Sequence, residues 1–473
     1  FDSFEKNTEL RLQEDSNVIV HISRIPLKTG YSLVTAYVMN RRKNSENEVE
    51  SMMFQVELKA YSENEDRVFF AENICRDVLA EDEFYFEQRP ILGRGRNCAA
   101  TWDDAVEGRT FWVKSDFIPE YEFPSVSAAL KGFDTFFFSM RFMSNTKNKA
   151  GIFERLNVLA DSYGKWIHEK LISDDKMSNA DFKEKIGDKV ISHCSEALNR
   201  IREGIELIAN DEVAFDAFCF MNCSMLLQRN IMSYSKKHGA GIECNFRDFV
   251  DPRKPDTDFG WRPFQIAFIL MNLSGIVNPE HKDRDVVDLL YFPTGGGKTE
   301  AYLCLMANRR LRASDASEYN ADGGVTAMLR YTLRLLTTQQ RDRITKMVVA
   351  AELIRQKTYP KYGKEPISIG FWVGGGVTPN KFDELVEKDD KPGEARRKRN
   401  LLYKQLLTCP FCGKPLTEDE FYIDPDRKSV AIYCADRNCM FYKYKQNRIR
   451  IPVYLVDEEI YAKCPTIILS TVD

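Results

Sequence analysis

Phe292-Pro293-Thr294-Gly295-Gly296-Gly297-Lys298-Thr299 follows an apolar run over residues 286–291 and precedes residues 300–306, whose composition reads as a helix. The order is strand, glycine loop, helix. Three consecutive glycines permit positive φ and a close approach to phosphate, so several N–H groups and the helix N-terminus converge on one anion. In that geometry Lys298 reaches the β- and γ-phosphates and the Thr299 hydroxyl holds Mg²⁺. The stretch predicts ATP with Mg²⁺ seated on Thr294, Gly295, Gly296, Gly297, Lys298 and Thr299, with Lys298 and Thr299 as the catalytic pair.

At 473 residues the chain has length for about three domains of ~150 residues. It is 43% hydrophobic and 29% charged, the balance of a globular protein. A formal net charge of −4 gives no global basic field, so any nucleic-acid contact needs a local groove. No apolar stretch approaches the ~20 residues that span a bilayer; residues 264–277 are interrupted by Gln265, Asn272 and Ser274. Nor does a basic, then apolar leader open the chain. Of 12 cysteines, four cluster and the others scatter, which suits a reducing cytoplasm better than a disulfide framework. Phe1 is no initiator and Asp473 closes just after an apolar run, so both ends read as cut.

Three regions differ in period. Residues 1–145 read as β-rich, with strands expected over 18–25, 32–39 and the strictly alternating 54–60. Residues 146–245 read as helical: Val190, Cys194, Ala197, Leu198, Ile201, Ile205 and Ile208 recur at helical spacing. Phe215, Phe218, Phe220, Met221 and Met225 read as core rather than a ligand pocket. After a Pro/Gly/Asp linker at 254–260, residues 246–473 alternate helices such as 337–355 with short strands such as 367–373, the pattern of a parallel sheet with crossover helices.

Upstream of the glycine loop stands Trp261-Arg262-Pro263-Phe264-Gln265. Phe264, a ring able to stack on adenine, and Gln265, whose amide can pair its donor and acceptor with the base edge, are the candidates for reading the base. Downstream, three strand ends gather hydroxyls, guanidinium groups and glycines suited to a sugar-phosphate backbone. They are 328–340, with Arg330, Thr332, Arg334 and Gln339; 371–378, with Gly375; and 470–473, with Thr471. Residues 384–399 are dense in both charge signs and end in Arg396-Arg397-Lys398-Arg399. A solvated helix face is the plain reading there, and a basic strip beside nucleic acid the sharper one. Val453-Tyr454-Leu455-Val456-Asp457-Glu458-Glu459 imitates the strand-plus-acid element that holds Mg²⁺. It precedes Thr471 instead of following it, so the acid pair is expected beyond Asp473.

Cys409-Pro410-Phe411-Cys412-Gly413 and Cys434-Ala435-Asp436-Arg437-Asn438-Cys439 are two close cysteine pairs flanking a hairpin-like stretch. Folding that hairpin brings Cys409, Cys412, Cys434 and Cys439 together as a Cys₄ shell for Zn²⁺, in an insertion over about 405–445. Such a closed shell is structural, since it leaves no position for water.

Taken in order, WRPFQIAFILMNL (261–273), YFPTGGGKTEAY (291–302), LRYTLRLLTTQQ (329–340), WVGGGVTPN (372–380), CPFCG (409–413) and VDEEIY with PTIILSTVD (456–473) resemble the helicase subunits of bacterial DISARM anti-phage systems. These belong to the superfamily-two helicases. The resemblance is strong over 260–473 and looser before it. It implies an α/β fold: a first RecA-like P-loop lobe with a parallel sheet and a zinc-ribbon insertion, preceded by the β-rich and helical domains, with the second RecA-like lobe absent from the chain. It implies an ATP-dependent DNA helicase or translocase acting with a DrmB-like protein partner, in which Lys298 and Thr299 hold nucleotide and Thr332 and Thr471 touch the DNA backbone. A nucleotide-gated DNA-binding scaffold and an RNA helicase are the alternatives.

Overall fold

The computed structural model describes residues 7–13, 15–26, 32–43, 48–61, 70–71, 92–103, 109–116, 133–134, 136–178, 180, 183–251, 260–290, 297, 323–331, 338–359, 361–386, 393–446 and 448–471. Two compact units divide the chain between Ser125 and Val126. In the first, β1 (Asn7–Arg11), β2 (Val18–Pro26) and β3 (Ser32–Asn40) form an antiparallel meander. The β-branched residues of β2 suit a pleated surface, and Val18 and Ile19 are buried. β4 (Lys59–Tyr61), β5 (Phe70–Ala71), β6 (Ala99–Trp102), β7 (Arg109–Thr110) and β8 (Trp112–Asp116) make a three-stranded β4-β8-β6 sheet and a β5-β7 pair. The strand expected over 54–60 shrinks to β4. Phe54 is 69% exposed and Gln55 takes φ 52°, a left-handed conformation that leaves a ladder whatever the alternation around it.

Four long helices come early in the second unit: α1 (Lys149–Trp166), α2 (Asp188–Asn210), α3 (Glu212–Gly239) and α4 (Pro263–Val277). Val190, Cys194, Leu198, Ile201, Ile205 and Ile208 share the buried face of α2, as their spacing predicts. Asp211 caps α3, its Oδ1 accepting the Val213 and Ala214 N–H groups at 2.9 and 3.0 Å, a contribution of about 1 kcal/mol. Phe215, Phe218, Phe220, Met221 and Met225 are buried along α3 and belong to the core. α2 and α4 approach at Gly204, where a Cβ would stand 2.1 Å from the Leu270 carbonyl oxygen. Any other residue would push the two helices apart.

Past α4 come β9 (Ala327–Tyr331), α5 (Thr338–Lys357), β10 (Ile369–Trp372), α6 (Glu394–Tyr403), the hairpin of β11 (Phe421–Asp424) and β12 (Ser429–Ile432), then β13 (Val453–Tyr454), α7 (Asp457–Lys463) and β14 (Ile467–Thr471). β13, β10, β14 and β9 form one parallel sheet in that spatial order. The first four residues of β14 are buried, as expected of an inner parallel strand covered on both faces. α5 buries Ile344, Val348, Val349 and Ala350 completely, and Gln228 of α3 donates Nε2 to the Arg343 carbonyl at 2.9 Å. Glu352 organises the turn from α5 towards β10: it pairs with Arg355 at 2.7 Å and accepts the Ile367 N–H at 2.7 Å.

Candidate functional site

Residues 261–265 start a helix and reach the glycine loop. The Trp261 indole N–H donates to Asn222 Oδ1 on α3 at 2.7 Å, fixing where α4 begins. Pro263 then opens the helix, a position where its missing N–H is no loss. Gln265 Oε1 accepts the Arg262 N–H at 2.9 Å, and Gln265 Nε2 donates to the Gly297 carbonyl at 2.6 Å. Gly297 takes φ 88°, the left-handed region that favours glycine. An amide has two donor hydrogens and two acceptor sites. One of each is engaged by these bonds, and the side chain is buried. Phe264 is half-buried beside it. Thr294, Gly295, Gly296, Lys298 and Thr299 lie outside the described residues.

Residues 286–290 depart from the strand that their apolar residues predict. They join no sheet among the described residues, and Val287 and Leu289 are 93% and 87% exposed. Asp288 instead meets Arg200 of α2 in a fork, both N–H···O distances being 2.7 Å, while Asp283 lies 3.3 Å from Arg200 Nε. A bidentate, charge-assisted pair on a nearly buried arginine holds this segment against α2 more firmly than a short unpaired strand would hold itself.

The parallel sheet carries its strand ends to one edge. Ser470 of β14 is in register with Arg330 of β9 on one side and Trp372 of β10 on the other, and Thr471 is in register with Tyr331. With neighbouring strands ~4.8 Å apart, Arg330, Thr471 and the loop carrying Gly375 share the carboxyl edge, where open parallel sheets bind ligands. That loop turns tightly: Gly374 takes φ 84°, and its carbonyl accepts the Val377 and Thr378 N–H groups at 2.9 and 3.0 Å. Thr332 and Arg334 lie outside the described residues, and Gln339 falls in the first turn of α5.

The four cysteines converge. Cys409, Cys412, Cys434 and Cys439 are fully buried, with all four Sγ atoms within 4.8 Å of one another. Cys409 and Cys439 are 3.7 Å apart and Cys412 and Cys434 3.6 Å, too far for disulfides. Four sulfurs each ~2.3 Å from one zinc would stand about 3.8 Å apart, so the spacing fits a tetrahedral shell. The Asp436 and Phe441 N–H groups donate to Cys434 and Cys439 Sγ at 3.5 and 3.4 Å, which favours thiolates. Hydrogen bonds from the neighbouring thiols pull the Cys434 pKa well below the usual thiol range, favouring its thiolate, while burial pushes that of Cys409 up. The group is compatible with zinc. It also rests on α3: a Cβ on Gly413 would lie 2.2 Å from the Ser235 carbonyl oxygen, His238 Nε2 meets Asp436 Oδ2 at 2.5 Å, and Phe411 packs on Tyr234.

Compared with known proteins, the chain is 40% identical over 494 aligned residues to the DISARM protein DrmA of Bacillus paralicheniformis. The alignment takes in 100% of the chain. The chain is a DrmA-like protein. It spans 42% of that relative's length. No family model matches it. Among its described residues, no helix is long and apolar enough to cross a membrane.

In this DrmA-like chain Asp457, Glu458 and Glu459 open α7, behind β13 at the sheet edge opposite β9. Two of the three side chains are taken up by hydrogen bonds within the protein. Glu458 accepts the Phe382 N–H at 3.1 Å and Lys428 Nζ at 2.5 Å, while Glu459 accepts the Val430 N–H at 3.2 Å. Glu458 and Glu459 thus fasten the β11–β12 hairpin to α7. Burial first, then Glu384, pushes Asp457 up to about 6, and burial pushes Glu459 up to about 7. A carboxyl raised from its ordinary 4.5 ionises less readily folded than unfolded, so its stability contribution falls as pH rises from about 4 to about 7. Glu459→Gln is therefore expected to gain about 3 kcal/mol over the parent at pH 8 relative to pH 4. Calorimetric melting of both proteins at the two pH values checks it; an equal difference at each pH would contradict it.

Proposed function

We propose that this DrmA-like chain carries the first RecA-like lobe of an ATP-dependent DNA helicase or translocase serving a bacterial anti-phage defence system in the cytoplasm. ATP with Mg²⁺ sits on the glycine loop, with Lys298 and Thr299 at the phosphates and adenine between Phe264 and Gln265. A single strand lies along Arg330, Thr332, Arg334, Gln339, Gly375 and Thr471, held by its backbone without regard to sequence. Zn²⁺ on Cys409, Cys412, Cys434 and Cys439 braces the insertion, and a DrmB-like protein is the partner. Closure of a second lobe couples hydrolysis to stepping.

The observation that carries this reading is the 2.6 Å bond from Gln265 Nε2 to the Gly297 carbonyl. It ties an amide suited to reading adenine to the loop suited to holding phosphate. The test is ATP turnover by the purified full-length protein with single-stranded DNA of increasing length. Stimulation that grows with length supports a motor. ATP-dependent binding with length-independent turnover would replace it by a nucleotide-gated scaffold, and equal stimulation by RNA would change the substrate. Gln265→Ala should also lower the preference for ATP over GTP about tenfold, the value of one or two hydrogen bonds. An unchanged ratio of affinities would release Gln265 from base recognition.

A further inference from the structure

The basic run of α6 is not used by the reading above. Two of its four cations are engaged inside the protein. Lys398 Nζ donates to the Gly375 carbonyl at 3.0 Å and pairs with Glu384 at 2.6 Å, and Arg399 Nε donates to the Leu385 carbonyl at 2.8 Å. Just past the helix, Gln405 donates to the Val377 carbonyl at 2.9 Å and accepts from Arg341 of α5 at 2.6 Å. These bonds lay α6 along the loop that follows β10 and join it to the helix that follows β9. Arg396 and Arg397 stay exposed, and among the described residues neither side chain enters a hydrogen bond or ion pair.

Gly376 is a second, independent observation. Its φ is not left-handed, and a Cβ built on it meets nothing within 4 Å. Neither backbone conformation nor internal packing calls for glycine there, unlike Gly374 with φ 84° and Gly375, whose Cβ would stand 2.8 Å from Asn380 Nδ2. The open space faces outward from the loop that Lys398 holds. A missing side chain on the loop that α6 is bonded to, with two unengaged guanidinium groups exposed on that helix, suits the close approach of a polyanionic backbone.

We infer that Arg396 and Arg397, with Gly376, extend the strand-end ledge and take the sugar-phosphate backbone of a single strand. This rests on the nucleic-acid reading above. Each phosphate neutralised on a single strand contributes ~0.7 to the slope of log affinity against log salt. The probe is a fluorescein-labelled oligo-dT, titrated with full-length protein over a series of KCl concentrations and read by anisotropy. Arg396→Ala/Arg397→Ala should flatten the slope by about 1.4 and weaken binding roughly tenfold at physiological salt. Arg396→Lys/Arg397→Lys should keep the parent slope. Gly376→Val should keep the parent's circular dichroism and weaken binding. If the parent binds oligo-dT and the alanine pair leaves its slope unchanged, the extension is wrong and the ledge stands. A lysine pair that loses as much slope as the alanine pair also overturns it, because charge is then not what matters. Failure of the parent itself to bind oligo-dT would remove the underlying nucleic-acid reading.

Discussion

Lys298→Ala is expected to abolish DNA-stimulated ATP hydrolysis in the complete protein, lowering turnover by at least about 10²–10³-fold. That is the range seen when one preorganised charge-stabilising group is removed from an active site. Phosphoryl transfer asks little covalent chemistry of a protein; positioning and charge do the work, so the ammonium proposed for the β- and γ-phosphates should dominate. Glycine amides alone can still cradle the anion. Nucleotide binding, followed with a fluorescent ATP analogue, should therefore weaken less than turnover falls. Arg200→Met is an informative comparison, since it cuts the 2.7 Å fork to Asp288 and leaves Lys298 in place. Unchanged turnover in Lys298→Ala would take Lys298 out of the mechanism.

Local chemistry made much of this fold legible. The β-branched run at 18–25 became β2 and the helical spacing from Val190 to Ile208 became α2, because in both places period and burial agree. The two misread strands share a cause. Residues 54–60 alternate perfectly, but Gln55 at φ 52° leaves the ladder. Residues 286–290 are apolar enough for a strand, but Asp288 finds Arg200, 88 positions earlier in the chain. A single dihedral and a long-range ion pair leave no periodic trace. The approach of α2 to α4 at Gly204 is equally silent, since a glycine in a helix reads simply as a weak helix former.

Site chemistry was legible where it depends on spacing. Two short cysteine pairs flanking a hairpin leave few ways to fold, and the sulfurs meet. The strand-end residues Arg330 and Thr471 reach the same edge because parallel strands necessarily align their carboxyl ends. Distant pairings were not legible. That Gln265 would bond Gly297, or that Glu458 and Glu459 would hold Lys428 and Val430, depends on contacts between segments whose spacing says nothing about them. Glu458 and Glu459 stand in a segment with the composition of a Mg²⁺ site, and both are bonded to the hairpin.

The largest stability effect should follow loss of the fourth thiolate. Cys434→Ser leaves three buried sulfurs and a weaker hard ligand, and a structural zinc shell is worth roughly 10–16 kcal/mol to a small domain that folds around it. Here the effect should spread, because the cysteine element is wedged between two others. Gly413 lies against Ser235 of α3 with no room for a side chain, and the β11–β12 hairpin is held to α7 through Lys428 and Val430. α7 leads directly into β14, and β14 carries Thr471 to the ledge. Metal loss should therefore raise hydrogen exchange in the C-terminal turn of α3, in α7 and in β14, and lower Tm by roughly 10 °C or more. The parent should hold about one zinc per chain by mass spectrometry of the metal, and Cys434→Ser should hold far less. Cys464→Ser is the matched control: that thiol is exposed and reaches only the Tyr461 carbonyl, at 3.4 Å, so zinc content and Tm should match the parent. A parent protein whose four buried thiols react freely, and which melts identically with and without chelator, would show that packing alone brings these sulfurs together.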